Sequence, residues 1–290
     1  MQIDLFGKKR YKVNLHMHTN RSDGRLSPEE AVARYRDAGY DAVAITDHWQ
    51  YQNGGELDGV LILSGAEYDT RLRDCRKGVF HIVCVGARYQ PSLTLSSTPQ
   101  KIIREIRRAD GLAVLAHPAW SLNTVDQIIP LKDVDATEIY NSVSGVHESR
   151  RADSSLLVDV LAARGRIYPL LAADDAHYYD NDDCLSWVMV EAEELTQAAI
   201  VEAVRQGKCY ATQGPEVHLW REGDELVLRC SPCREIVFYS NLVWVKRTHV
   251  GDNLTEARYP IHPDECFVRA EVTDENGKRA WSQIIRTEPL

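Results

Sequence analysis

From about residue 11 to 210, short apolar runs alternate with polar turns and stretches of helical period. Tyr11–Leu15 predicts a strand. Ser27-Pro28-Glu29-Glu30 predicts a helix start, with Ser27 as N-cap, Pro28 at the first position and carboxylates near the positive helix end. That helix stops at Gly39, and Asp41–Thr46, Leu61–Ser64 and Val79–Gly86 read as the next strands. Thr98–Asp110 places Ile102, Ile103 and Ile106 on one side, as an amphipathic helix does, and Leu112–Ala116 returns as a strand. The series continues with strands at Ala136–Tyr140, Ile167–Ala172 and Ser186–Val190, and with helices near Arg150–Ala163 and over Thr196–Gln206. Repeated β-α units of this kind predict an α/β fold.

Near Gly214-Pro215 the pattern changes. Strand-like runs at Glu216–Trp220, Glu225–Cys230, Glu235–Tyr239, Val243–Arg247, Arg258–His262, Cys266–Val272 and Ala280–Arg286 follow one another at short spacing with no long helical pattern between them. We therefore expect an α/β domain over residues 1–215 and a small antiparallel, β-sandwich-like domain over 216–290. His218, His249 and His262 lie far apart in that tail, so it reads as a structural or oligomerising domain, and a homo-oligomer is compatible with it.

Composition narrows the function classes. With 290 residues, 44% of them hydrophobic and 27% charged, the chain can bury a large core. A formal charge of −9 argues against an extended nucleic-acid surface but leaves room for a small anion held by local cations. No window approaches the roughly 18 consecutive apolar residues of a membrane span, and the N-terminus lacks signal-peptide form. No membrane partner and a cytoplasmic location are the expectations. Seven cysteines, an odd number, read as reduced thiols, and Cys230-Ser-Pro-Cys233 as a turn between strands with two free thiols.

Six of the ten histidines, His16, His18, His48, His81, His117 and His177, fall in or just after the strands of the first region. Strand ends in α/β folds converge on one face, where sites are assembled from several loops. His16 and His18 are two apart on an extended segment and so point to the same side, and Asp175 with His177 repeats that spacing. Imidazole and carboxylate donors without thiolate suit zinc, manganese or iron. Each residue alone has a plainer explanation in packing or surface polarity; the joint pattern does not.

These segments resemble the polymerase-and-histidinol-phosphatase (PHP) superfamily. Leu15-His16-Met17-His18-Thr19 with Ser22-Asp23-Gly24 is similar to its first motif, Ile45-Thr46-Asp47-His48 to its second, Leu115-Ala116-His117-Pro118 to its third and Asp174-Asp175-Ala176-His177 to its fourth. Glu67 and His81 match the acidic ligand and histidine that the family carries between the second and third. Asp174 stands where serine is common, and the spacing to His177 favours Asp175 as the ligand. The resemblance implies a distorted (β/α)7 barrel with two or three divalent metals, Mn, Zn or Fe. One metal would lie among His16, His18, Glu67 and Asp175, a second among Glu67, His81 and His117, and a third among Asp23, His48 and His177. It further implies a phosphoesterase in which metal-activated hydroxide attacks a small phosphorylated substrate. The Tyr210-Ala-Thr-Gln-Gly214-Pro215 segment before a β-rich tail resembles the CehA/McbA-type branch, which makes hydrolysis of a carbamate, ester or lactone the alternative. A metal-binding module without turnover is the remaining reading.

Three further residues are candidates for catalysis. Asp47, beside His48, is expected to orient a ligand or a metal-bound water. His147 and Arg150 follow the strand ending at Tyr140-Asn141 and could reach a phosphate or protonate a leaving group.

Overall fold

The computed structural model describes residues 1–70, 78–244 and 246–287. The first region runs β1 (Gln2–Ile3), β2 (Lys9–Asn14), α1 (Pro28–Asp37), β3 (Ala42–Ala44), β4 (Gly55–Leu57), β5 (Val60–Leu63), β6 (Gly65–Asp69), β7 (His81–Val85), α2 (Pro99–Arg108) and β8 (Leu112–Leu115). It continues with α3 (Val125–Ile128), β9 (Ala136–Asn141), α4 (Ser142–Val146), α5 (Ser155–Ala163), β10 (Leu170–Ala173), β11 (Trp187–Glu191), α6 (Gln197–Arg205) and β12 (Cys209–Thr212). After these come only strands among the described residues: β13 (Val217–Glu222), β14 (Glu225–Ser240), β15 (Thr248–Pro260), β16 (Phe267–Thr273), β17 (Arg279–Trp281) and β18 (Ile285–Arg286). An α/β region thus precedes an all-β region, as the patterning predicts.

Local chemistry fixes the helix starts. Ser27 accepts from Glu30 N, and the Glu30 carboxylate returns to Ser27 N at 2.9 Å, a reciprocal cap on α1. Thr98 caps α2 through Lys101 N, and the buried face of α2 is the expected Ile102, Ile103 and Ile106.

The strands form two sheets. One has the order β10-β9-β8-β7-β6; the other runs β13-β14-β16-β17-β12-β11-β2-β3-β5-β4, with β1, β15 and β18 at its margins. β2, β3 and β5 are parallel neighbours, as are β8, β9 and β10. β6 and β7 depart from the β-α alternation: they pair antiparallel to each other, and β7 pairs antiparallel to β8. Antiparallel neighbours need no crossover helix. The two sheets also touch through single bridges, Met17 with Ala176 and His48 with Glu67. One core cluster draws Val13, Ala42 and Leu63 from the long sheet and Val83, Val114 and Leu171 from the short one.

The long sheet crosses the expected boundary near residue 215 without a break, because β12 pairs with β17 and sets Ala211 opposite Trp281. Two arginines add ionic ties across it. The wholly buried Arg269 of β16 forks onto Asp159 of α5 at 2.7 and 2.8 Å. Arg279 of β17 reaches Asp153 at 2.6 Å.

Two expectations for the tail are corrected. Cys230-Ser-Pro-Cys233 is not a turn: β14 runs straight through it, and the pairing with β15 shifts register there. The two thiols are buried with their sulfurs 3.6 Å apart. Of the expected strand Val243–Arg247, Val243, Trp244, Lys246 and Arg247 lie outside any strand, Val245 falls outside the described residues, and β15 starts at Thr248 instead. Among the described residues no helix is long and apolar enough to cross a membrane.

Candidate metal centre

Strand ends deliver the donors. His16 and His18 follow β2, His48 follows β3, His117 follows β8, and Asp175 with His177 follows β10. Glu67 lies within β6 and His81 opens β7, while Asp23 comes from the loop before α1. Glu67 sits between the histidines. Its Oε1 is 2.8 Å from His81 Nδ1 and 3.3 Å from His117 Nε2; its Oε2 is 3.2–3.3 Å from His16, His18 and His48.

Three donor groups result, each with ligand atoms within 4.8 Å of one another: His16, His18, Glu67 and Asp175; His18, Asp23, His48 and His177; and His48, Glu67 and His81. Eight of the nine expected ligands fall in these groups, and the ninth, His117, lies beside them with its Nε2 3.3 Å from Glu67 Oε1. The Nε2 atoms of His16 and His18 face each other at 3.2 Å, and each lies 3.0 Å from Asp175 Oδ1. Yet Asp175 Oδ1 and His48 Nδ1 are buried without a hydrogen-bond partner. Lone pairs crowded this closely in a dry site cost several kcal/mol unless a cation lies among them, on the order of the penalty for unpaired buried charge. The donor chemistry, nitrogen and oxygen without sulfur, suits divalent metal ions.

Electrostatics point the same way. Burial alone would lower the imidazole pKa values, but Asp175, Glu67 and Glu138 hold His16 well above its ordinary value, and Asp175 with Glu67 holds His18 up at about 9. The converse acts on Glu67: burial would raise it, but the surrounding histidines, led by His48, hold its carboxyl well below the usual range. The cluster is built to keep positive charge at its centre.

A surrounding shell aims the ligands. His16 Nδ1 meets Glu138 Oε1 at 2.7 Å, which leaves Nε2 to face the centre. Glu138 Oε2 accepts from His117 N and from Asn141 Nδ2, and Asn141 also donates to Asp175 Oδ2 at 3.2 Å. Sequence reading missed Glu138 and Asn141; the only signal was a carboxylate inside the buried strand β9. His117 and Asp175 both have left-handed backbones, with φ of 28° and 55°. Non-glycine residues adopt that region at a cost of about 1–3 kcal/mol, which tends to be tolerated at functional sites.

The choice between adjacent aspartates has a structural basis. Asp174 points away from the donors and accepts from Tyr35 Oη and from the backbone N–H groups of Cys184, Leu185 and Ser186. Burial pushes its carboxyl up to about 7 despite those donors. Asp174 anchors the 184–186 segment, and Asp175 faces the cluster.

The three additional catalytic candidates fall elsewhere. Asp47 is fully buried, but its oxygens accept from Thr19 N, Thr19 Oγ1 and Ser22 Oγ at 2.6–2.7 Å. It shapes the loop between His18 and Asp23, and its backbone oxygen lies 3.4 Å from Glu67 N, so it positions ligands rather than facing the cavity. His147 Nε2 pairs with Asp180 at 2.7 Å and packs on Tyr178, outside the cavity lining. Arg150 turns back to donate to Gly145 O at 2.8 Å and does not line the cavity. Among the described residues the cation that does is Arg25, whose guanidinium lies 4.8 Å over the Tyr178 ring. The cavity over the donors is about 270 Å³, with Trp120, Val143, Glu148 and Tyr178 among its walls. Trp120 packs edge-on against His117 and His81.

Comparison with known proteins agrees with this geometry. The PHP domain family model matches residues 14–103. A 5'-3' exoribonuclease of Haemophilus influenzae is 29% identical over 136 residues, 44% of this chain and 48% of that protein, so the chain spans about half the length of that relative. An uncharacterized protein of Methanocaldococcus jannaschii is 25% identical over 150 residues, 45% of this chain and 82% of that protein. A Bacteroides vulgatus crystal structure, named as a two-domain protein containing a predicted PHP-like metal-dependent phosphoesterase, has a TM-score of 0.57 at 15% identity. That likeness of fold covers 99% of this chain and 97% of the other. The family model lies over the segment that carries His16, His18, Asp23, His48, Glu67 and His81, so residues 14–103 are similar to a PHP domain.

Proposed function

We propose that this protein is a metal-dependent hydrolase of small phosphoesters, either phosphomonoesters or small phosphodiesters such as a nucleotide, sugar or cyclic phosphate. The observation that carries this reading is Glu67, one oxygen turned to His81 and His117 and the other to His16, His18 and His48. A carboxylate so placed can serve more than one divalent ion (Mn, Zn or Fe). In this reading His16, His18, Glu67 and Asp175 hold one ion, Glu67, His81 and His117 a second, and Asp23, His48 and His177 a third. Bound metal supplies a water of lowered pKa and positive charge against the phosphoryl group.

The chain's own groups do the rest. Glu138 holds His16 with Nε2 inward, and Asn141 steadies Asp175. Arg25 waits at the mouth to pair with a substrate oxygen, its link to Asp180 being a long 3.4 Å contact. Trp120 and Val143 limit water at the reacting face. The two sheets, bridged at Met17–Ala176 and His48–Glu67, serve in this reading as the halves of a distorted (β/α)7 barrel within residues 1–215, with 216–290 as the second domain.

The test is metal analysis of protein purified without chelator, followed by phosphate release from a panel of nucleotides, sugar phosphates and cyclic phosphates. Release that chelation abolishes and added metal restores is expected. No release from any member by metal-loaded protein sinks the phosphoester reading. A second reading, hydrolysis of a carbamate, ester or lactone as in the CehA/McbA-type branch, is favoured by one observation. Among the described residues that line the cavity, Arg25 is the one Lys or Arg, beside the apolar Trp120 and Val143. Turnover of aryl carbamates or lactones without phosphate release would select it.

A further inference from the structure

A second and larger cavity, about 470 Å³, opens between the N-terminal segment, β12 and β13. It shares no lining residue with the cavity over the donors. Arg10 of β2 lines it, and β2 leads on to His16 at the other site. Six residues of extended chain span roughly 20 Å, so the two cavities lie towards opposite ends of that strand.

Its walls are a run of rings. Trp220 meets Phe6 at 5.3 Å, Phe6 meets His218 at 4.9 Å and His218 meets Tyr210 at 5.4 Å, all edge to face. The run is braced from behind. Glu216 accepts from Leu5 N at 2.9 Å and from His218 Nε2 at 2.5 Å, which ties the N-terminal segment to β13. Phe6 nonetheless remains 41% exposed, so a large apolar ring is left with part of its surface uncovered inside a preformed wall.

The lining carries three cations, Lys8, Arg10 and Lys208, and one carboxylate, Glu191. Glu191 is already shared between Lys8 at 2.6 Å and Arg10 at 3.1 Å, and Asp4 holds Arg10 from the other side at 2.6 Å. Lys208 is exposed and has no ion-pair partner among the described residues. On a chain of net charge −9, this is an aromatic wall with spare positive charge at its edge.

We propose that this cavity binds a planar aromatic anion, its ring against Phe6 and Trp220 and its carboxylate, sulfonate or phosphate beside Lys208 and Lys8. Ring-on-ring contact supplies the apolar share of such binding, and the ammonium groups select the charged end.

The experiment is a fluorescence titration of the full chain with 8-anilinonaphthalene-1-sulfonate, alongside its uncharged relative N-phenyl-1-naphthylamine. One saturable site is expected, with the neutral dye weaker. Lys208→Glu should weaken the anion about threefold or more, the scale of one partly exposed charge, and Phe6→Ala should weaken both dyes. Lys208 is exposed, so that variant keeps its fold, and thermal unfolding checks both. His16→Ala should leave anion binding intact. Equal binding of the two dyes, unchanged affinity in Lys208→Glu and Phe6→Ala, or loss of binding in His16→Ala would each overturn the proposal.

Discussion

Glu138 Oε1 lies 2.7 Å from His16 Nδ1, while its other oxygen accepts from the backbone N–H of His117. One buried carboxylate therefore sets the tautomer of one donor and the main-chain position of another. Glu138→Gln preserves the shape but removes the charge. Metal affinity should fall about 10–100-fold, the usual cost of losing such a partner, as read by competition with a chromophoric chelator. An unchanged affinity would show that His16 is oriented without it.

The paired aspartates should separate stability from metal binding. Asp174→Asn leaves one carbonyl oxygen for several donors and should cost about 1–3 kcal/mol in urea denaturation, with metal content retained. Asp175→Asn should give the opposite result, near-normal stability of the metal-free protein and lost metal. Equal metal loss in both variants would contradict the orientation of Asp174.

Arg25 and Arg150 make a matched pair for kinetics. If the proposed activity holds, Arg25→Ala should raise KM for an anionic substrate about tenfold, the scale of one charge-assisted hydrogen bond, with little change in kcat. Arg150→Ala should match the parent protein, because its guanidinium is spent on Gly145 O. An Arg150 defect without an Arg25 defect would reverse the assignment.

The ties between the α/β region and the tail should appear in stability. Arg269→Ala strands Asp159 beside a buried hole and should cost about 3–5 kcal/mol, by shift of the urea midpoint. Burial raises the Asp153 carboxyl, but Ser155 and Arg279 outweigh it and hold it below its ordinary value. A folded-state pKa below the unfolded one means stability present above about pH 4 and lost as pH falls through the folded value. Arg279→Ala should weaken that acid-limb dependence in pH-dependent unfolding; no change would show that Ser155 alone sets it.

Much of the centre was legible because its donors sit where strands end. His16/His18 and Asp175/His177 carry a spacing that geometry can interpret, and the Ser27 cap with Glu30 is a local signal for α1. Glu67 needed the family resemblance, since Gly65-Ala-Glu-Tyr-Asp69 lacks the apolar run by which the other strands declare themselves. Glu138 was hidden in a strand whose alternation looks ordinary, and only the fold shows where its carboxylate points. Arg150 looked placed for substrate by its neighbours in sequence, but Arg25 reaches the cavity across space. In the tail, Pro232 suggested a break; a proline is tolerated within a strand where a bulge frees it from the ladder, and the register shift around Cys233 provides that.

The bridge between Met17 and Ala176 bears on how the protein is made. Asp175 N donates to His16 O and His18 N donates to Ala176 O, both at 2.9 Å, and Asn14 accepts from Asp174 N across 160 positions. Closing a loop of that length costs on the order of 4–5 kcal/mol in chain entropy. During synthesis the first two histidines emerge early and must wait for Asp175 and His177 before their pocket exists. Metal capture would then be a late event, coupled to completion of the α/β region rather than a nucleus for it.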